Sequence, residues 1–142
     1  MSKLKRILLV EDSVVTAQAT KKLLSSMEAA EIVDICTGGE EAIAYLKGGD
    51  NGEFPHPDLI LLDINMPGMD GFEFMEEYIK LDKKVTKSFE LHICLLSGHI
   101  LEGENYEKSK GYKPFGLFEQ VVKPMDEEDV EELLERLEEE LE

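Results

Sequence analysis

Long apolar runs, cysteine pairs and cations in excess are what this chain lacks, and each absence narrows what it can be. No stretch reaches the ~18 apolar residues of a membrane span. Lys3, Lys5 and Arg6 lead straight into the short run Ile7-Leu8-Leu9-Val10, so no signal peptide is expected and a cytoplasmic location is. The two cysteines, Cys36 and Cys94, both lie in apolar, strand-like segments with no CxxC spacing. They read as buried thiols, with a disulfide or redox pair the lesser alternative. Cations are scarce: 15 Lys and Arg face 32 Asp and Glu, for a formal net charge of −17. That opposes direct DNA binding, because phosphates need Lys and Arg, and it opposes contact with an anionic membrane. Much of the excess sits in residues 126–142, where eleven residues are acidic and only Arg136 is basic. A solvated helix face accounts for most of it. No GxxxxGK occurs, so there is no ATP-binding loop of that kind.

What is present is a set of short apolar runs, each ending in a polar residue. Ile7–Val10 ends in Glu11-Asp12, Leu59–Leu62 in Asp63, Ile93–Leu96 in Ser97, and Val121-Val122 in Lys123-Pro124. Such runs, separated by helical stretches, read as buried strands of a parallel sheet. In open sheets of this kind the ligand site lies outside the carboxyl ends of the strands. Three or four carboxylates, one hydroxyl and one ammonium are thereby gathered at one edge.

The order reads strand then helix, five times over. Strands are expected at about 6–10, 31–36, at the run before Asp63, at 91–96 and at 118–122. Helices are expected at about 14–27, 39–47 and 72–81, and from Asp126 onward. Ala17, Thr20, Leu23, Leu24 and Met27 share one helix side, as do Ala42, Ile43 and Leu46, then Phe72, Met75 and Ile79, then Val130, Leu133, Leu134 and Leu137. Residues 48–58 form a polar loop with prolines at 55 and 57. A short helix at 105–110, between Gly103 and Gly111, is the least distinct element. Alternating strands and helices imply right-handed crossovers and a doubly wound α/β fold with helices on both faces. The 142 residues suit one domain with a real core, and the five repeats use them all, so a single domain without an output domain is expected.

The chemistry of the edge points to phosphoryl transfer. A carboxylate such as Asp63 can attack a phosphoryl group and form an acyl phosphate. Glu11 and Asp12 beside it would repel its charge and raise the pKa of one member. A divalent cation removes that conflict, and Mg²⁺ favours one or two carboxylates plus phosphate and water oxygens. Asp12 and Asp63 are therefore expected as direct ligands, with Glu11 direct or through water. Lys123 supplies a positive charge to one phosphoryl oxygen. Ser97 supplies a hydroxyl to another, and Gly98 leaves room for the group. The result is positioning plus electrostatics. Each residue alone has a plainer reading: Glu11-Asp12 as a capping turn, Asp63 as turn chemistry before Pro67-Gly68, Ser97 as a cap or turn residue, Lys123 as a solvated cation. All four at one sheet edge is another matter. His56, His92 and His99 lack zinc-ligand spacing. Gly38-Gly39 reads as a tight turn before a phosphate cradle, and Met66 with Met69 as loop packing.

In order and spacing, Glu11-Asp12, Asp63 within Leu-Leu-Asp-Ile-Asn-Met-Pro-Gly-Met-Asp-Gly, Ser97 and Lys123-Pro124 resemble the receiver domain of two-component response regulators, here over essentially the whole chain. The resemblance implies a flavodoxin-like five-stranded parallel sheet of order 2-1-3-4-5. It implies Asp63 as phosphoacceptor with Ser97 and Lys123 as catalytic partners, and Mg²⁺ held by Glu11, Asp12, Asp63 and a backbone carbonyl near Asn65. It implies a sensor histidine kinase or histidine phosphotransfer protein as donor, a downstream protein target reached by contact, and autodephosphorylation rather than turnover as an enzyme. It also implies a cis Lys123–Pro124 bond, and a tuning role in hydrolysis for Asn65 and His99, each two residues past a site residue.

One position departs from that pattern. Receivers usually carry Tyr or Phe three residues before the strand-five lysine; here stands Gln120, after Glu119, with Phe118 the nearest aromatic. The segment from Ser97 to Lys123 is also a few residues longer than usual, which makes a short or irregular fourth helix the expectation. Two other functions stay in view. A hydrolase of the haloacid-dehalogenase type also uses an aspartate nucleophile and Mg²⁺, but needs Asp-x-Asp after its first strand, where this chain has Glu-Asp. A degenerate receiver, never phosphorylated, would suit Gln120 but not the intact site.

Overall fold

The computed structural model describes residues 4–48, 57–81 and 91–141. Most of the polar loop expected at 48–58, with Pro55 and His56, lies outside the described residues, as does Lys3. Eleven elements follow in order: β1 (Leu4–Val10), α1 (Val14–Ser26), β2 (Ala30–Cys36), α2 (Gly39–Leu46), β3 (Leu59–Asp63), α3 (Gly71–Ile79), β4 (His92–Ser97), α4 (Gly103–Lys110), a 3₁₀ turn (Lys113–Phe115), β5 (Leu117–Val122) and α5 (Glu127–Leu141). The five strands are all parallel, in the order β2-β1-β3-β4-β5. This is the doubly wound, flavodoxin-like sheet expected from the sequence.

Central strands are read most easily because both their faces are covered. All five residues of β3 are buried, as a parallel strand flanked by helices requires. Leu8, Val10, Ile60, Leu62, Ile93 and Leu95 face α2, α3 and Tyr112; Ile7, Leu9, Leu59, Leu61, Cys94 and Leu96 face α1 and α5. Each fully buried Leu or Ile contributes roughly 1.5–3 kcal/mol relative to exposure. Cys36 and Cys94 are buried free thiols, and burial first, then Glu41 and Asp34, push the Cys36 thiol up to about 12. Both are inert packing residues.

Helix ends follow from side chains that accept orphan backbone N–H groups. Ser13 caps α1, its hydroxyl accepting from Thr16 N at 3.2 Å. Asp70 and Glu73 form a capping box on α3. Asp126 and Asp129 exchange the same pair of bonds before α5, at 3.0 and 2.8 Å. Asp126 is thus the residue before the helix, which begins at Glu127 rather than at 126. On α5, Val130, Leu133 and Leu137 are buried and Leu134 partly so.

Some expectations need correction. β1 starts at Leu4 and α4 at Gly103, two residues earlier than the pattern suggests. α3 buries Phe74 and Tyr78 as well as Phe72 and Met75, because it packs into the fold over more than one stripe. In α1 only Ala17 and Leu24 are fully buried; Leu23 and Met27 pack at the margin. α4 is short and buries only Ser109. What anchors its end is Tyr112, whose hydroxyl donates to Glu76 at 2.6 Å and whose ring stacks on Phe72. β4 and β5 pair with a register shift: Ile93 faces Leu117 but Cys94 faces Glu119. Phe118 is the extra residue of this bulge, and it turns edge-on to His92 on the α1–α5 side. Met66 is buried and Met69 packs against the same core. Gly39 leaves Met69 its space, since a Cβ there would lie 2.8 Å from the Met69 side chain. Gly38-Gly39 is thus a packing turn. Lys123–Pro124 is a cis peptide.

Candidate functional site

Strand register assembles the site. Val10 pairs with Leu62, so Glu11 and Asp63 leave neighbouring strands side by side. Asp63 pairs with Leu96, and Ser97 pairs with Val122, so Lys123 follows at the same edge. Lys123 N–H then donates to the Ser97 carbonyl at 2.7 Å. Glu11 and Asp63 are 1% and 0% exposed, and Ser97 is 5% exposed.

Three carboxylates converge. One oxygen each of Glu11, Asp12 and Asp63 lies within 4.8 Å of the others. Among the described residues the cation that meets them is Lys123, whose ammonium contacts Glu11 Oε1 at 3.0 Å and Asp63 Oδ1 at 3.1 Å. Lys123 is therefore not the solvated cation of its plainer reading. Glu11 Oε2 accepts from Ser13 N at 3.1 Å, so the capping role belongs to Ser13 and the carboxylate stays in the cluster. Asp63 Oδ1 also accepts from Asn65 N at 3.2 Å. Among the described residues Asp63 Oδ2 is buried with no hydrogen-bond partner, a state that costs about 1–3 kcal/mol.

The electrostatics follow. Burial first, then the adjacent Glu11, push the Asp63 carboxyl up to about 7, against the pull of Lys123. For Lys123, burial alone would lower the pKa, but hydrogen bonds and charge from Glu11 and Asp63 outweigh it and raise the value. One ammonium does not satisfy three carboxylates. The orphaned oxygen and the all-oxygen donor set fit a hard divalent cation.

Other expected site residues stand slightly apart. Ser97 lies at the adjacent strand end, but its hydroxyl is turned onto its own loop, donating to the His99 carbonyl and accepting from His99 N. Asn65 and His99 are exposed beside the cluster. A Cβ at Gly98 would meet nothing within 4 Å, so the room there is open surface and not a slot that only glycine leaves. His92 is half-buried against Phe118. Sequence reasoning missed Gln120 as a partner of this region: its Oε1 accepts from Leu101 N at 3.3 Å. A polar residue where an aromatic is usual was the available signal.

An acidic cluster with one lysine, at the carboxyl edge of a 2-1-3-4-5 parallel sheet, defines a receiver-type α/β domain. The chain belongs to the response regulator receiver domain family, whose model matches residues 7–135. It is 36% identical over 91 residues to the nitrate/nitrite response regulator protein NarL of Escherichia coli, covering 64% of this chain and 37% of that protein. It is 36% identical over 70 residues to a protein-glutamate methylesterase/protein-glutamine glutaminase of Geobacter sulfurreducens, covering 49% of this chain and 17% of that protein. The chain thus spans well under half the length of these relatives. Among solved structures it resembles the chemotaxis protein CheY4 of Vibrio cholerae, with TM-score 0.71 and 27% identity over 94% of this chain and 98% of that one. A two-component response regulator from Cytophaga hutchinsonii matches in fold, with TM-score 0.82 and 22% identity over 97% and 99% of the two chains. Among the described residues no helix is long and apolar enough to cross a membrane.

Proposed function

We propose that this chain is a phosphoacceptor receiver of the response-regulator type. The observation that carries the reading is Asp63, fully buried at the end of β3 among Glu11, Asp12 and Lys123, with one carboxylate oxygen unpartnered among the described residues. An Asp63 oxygen attacks the phosphorus of a phosphohistidine on a sensor histidine kinase or phosphotransfer protein. The O–P bond forms, the P–N bond breaks, and the imidazole leaves with the electron pair and takes up a proton. Lys123 neutralises one phosphoryl oxygen and Ser97 donates its hydroxyl to another. Glu11, Asp12, Asp63 and the Asn65 carbonyl would hold Mg²⁺, which when bound would supply positive charge to the phosphoryl oxygens. Water later hydrolyses the acyl phosphate, so the chain resets itself without turning over an external substrate. The phosphorylated domain signals by contact with a protein target. The nitrate/nitrite response regulator of Escherichia coli and a two-component response regulator from Legionella pneumophila, both similar to this chain, support this two-component setting.

Incubation with acetyl phosphate and Mg²⁺, followed by intact mass measurement, tests it. The wild type is expected to gain one phosphoryl group and Asp63→Asn none. Equal labelling of Asp63→Asn would remove Asp63 from its role. No labelling of the wild type would favour a pure interaction module.

A further inference from the structure

We propose that Gln120 is a positioning residue: its side chain is a polar latch that holds the loop carrying Ser97 in its resting arrangement. What the latch regulates rests on the receiver reading above; the latch itself is a feature of the unmodified chain.

Gln120 lies in β5 opposite Leu95, and its Oε1 accepts from Leu101 N at 3.3 Å. Ser97, at the other end of the same loop, holds His99 through both its N–H and its carbonyl. Between these two ties Gly98, His99 and Ile100 are exposed, Ile100 by 70%. Few apolar contacts hold such a segment, so single polar bonds weigh heavily in its arrangement. Gln120 does not act by filling space. A cavity of about 260 Å³ lies beside it, with Leu95, Leu101, Tyr106 and Leu117 in its walls. The bond to Leu101, rather than shape, connects β5 to the loop.

The consequence follows from counting protons. The Ser97 hydroxyl has one, and in this structure it goes to the His99 carbonyl. It cannot also go to a phosphoryl oxygen on Asp63. Turning it inward deprives the His99 carbonyl of its donor, and the loop must resettle. A bond from Gln120 to Leu101 favours the arrangement that exists before that turn. A contact made in only one of two states shifts the balance toward it. Gln120 therefore sets how readily the loop responds. It does so by a releasable hydrogen bond.

Two variants of the full chain separate the bond from the bulk. Gln120→Met keeps the length without an acceptor, and Gln120→Glu keeps an oxygen where Oε1 stands. Amide exchange at Leu101 is measured in the unmodified protein, and beryllofluoride with Mg²⁺ is titrated as the phosphoryl mimic. In Gln120→Met, Leu101 is expected to exchange roughly tenfold faster, and half-saturation by beryllofluoride to fall roughly three- to tenfold, the worth of one net hydrogen bond. Gln120→Glu is expected to stay near wild type in both. Gln120→Leu serves in place of Met should Met fold poorly. Unchanged Leu101 exchange in Gln120→Met, or equal effects of Met and Glu, would overturn the latch. Faster exchange with unchanged beryllofluoride affinity would overturn its positioning role. A wild type that binds no beryllofluoride would instead defeat the receiver reading, a failure visible without reference to Leu101.

Discussion

The ammonium of Lys123 lies 3.1 Å from Asp63 Oδ1 although β4 separates their strands in the sheet. The same ammonium meets Glu11 at 3.0 Å, so one cation ties the ends of β1, β3 and β5 together. Removing it leaves two buried carboxylates facing each other. Lys123→Met is expected to destabilise the metal-free protein by about 2 kcal/mol, discounted for the partial exposure of the lysine. Urea unfolding without divalent ions measures this. A change within about 0.5 kcal/mol would mean the lysine is not the main charge holding the cluster.

Mg²⁺ is expected to stabilise the fold by mass action, since only the folded chain gathers the carboxylates. Millimolar Mg²⁺ should raise the wild-type Tm, raise that of Lys123→Met by more, and raise that of Asp12→Ala by much less. Thermal unfolding of the three proteins in Mg²⁺ and in a chelator decides it. An equal shift in Asp12→Ala would place the ion elsewhere.

The Asp63 pKa sets a pH dependence. Its folded value, about 7, exceeds the ordinary 3.8, so the folded chain binds the extra proton between them. The stability linked to this group is therefore fully present below about pH 4 and lost as pH rises toward 7. Metal-free wild type should weaken across that window. Asp63→Asn should lose this part of the slope and be more stable near pH 7, by about 1–2 kcal/mol. Denaturation at several pH values in chelator checks the sign. A wild type that gains stability relative to Asp63→Asn over that range would show that Lys123 dominates Glu11 and burial.

Much of this was legible because parallel-sheet physics writes itself into sequence. Ile7–Val10 and Leu59–Leu62 are apolar throughout because both faces are covered, and the polar residue ending each run falls at the carboxyl edge. The bulge at Phe118 was not legible, because an extra residue in β5 leaves no mark on a run that is already mixed. The early start of α4 was hidden by a helix that buries only Ser109 and so has no apolar stripe. The turned-away hydroxyl of Ser97 was hidden too, since residue type gives chemistry but not rotamer.

Phosphoryl lifetime should depend on the exposed side chains beside the cluster. Asn65 holds Asp63 through its backbone N–H, which leaves its side chain free to differ without dismantling the site. His99 likewise meets Ser97 through backbone groups. Asn65→Ala and His99→Ala are expected to change the half-life of the acyl phosphate severalfold while leaving labelling intact. Decay followed by intact mass tests this, and unchanged rates in both would place control of water elsewhere.

Two glycines near the site should behave in opposite ways. A Cβ at Gly71 would stand 2.8 Å from Ile64 Cα and 2.9 Å from the Asp63 carbonyl oxygen. Both are backbone atoms, and Gly71 N donates to the Ile64 carbonyl at 2.8 Å, so the start of α3 cannot retreat without breaking that bond. Gly71→Ala must therefore displace the turn from Asp63 to Asn65, which carries the acceptor and two of the proposed metal ligands, Asp63 and the Asn65 carbonyl. It is expected to cost about 1–3 kcal/mol and to weaken Mg²⁺ binding as well. Gly98 has open space where its Cβ would go and no positive φ, so Gly98→Ala should change stability by less than about 0.5 kcal/mol. It acts only on what approaches from outside, and should slow phosphorylation while leaving Mg²⁺ affinity alone. Chemical unfolding with Mg²⁺ titration separates the two. Weakened Mg²⁺ binding in Gly98→Ala, or its retention in Gly71→Ala, would show that the Asp63 turn is not held where α3 meets it.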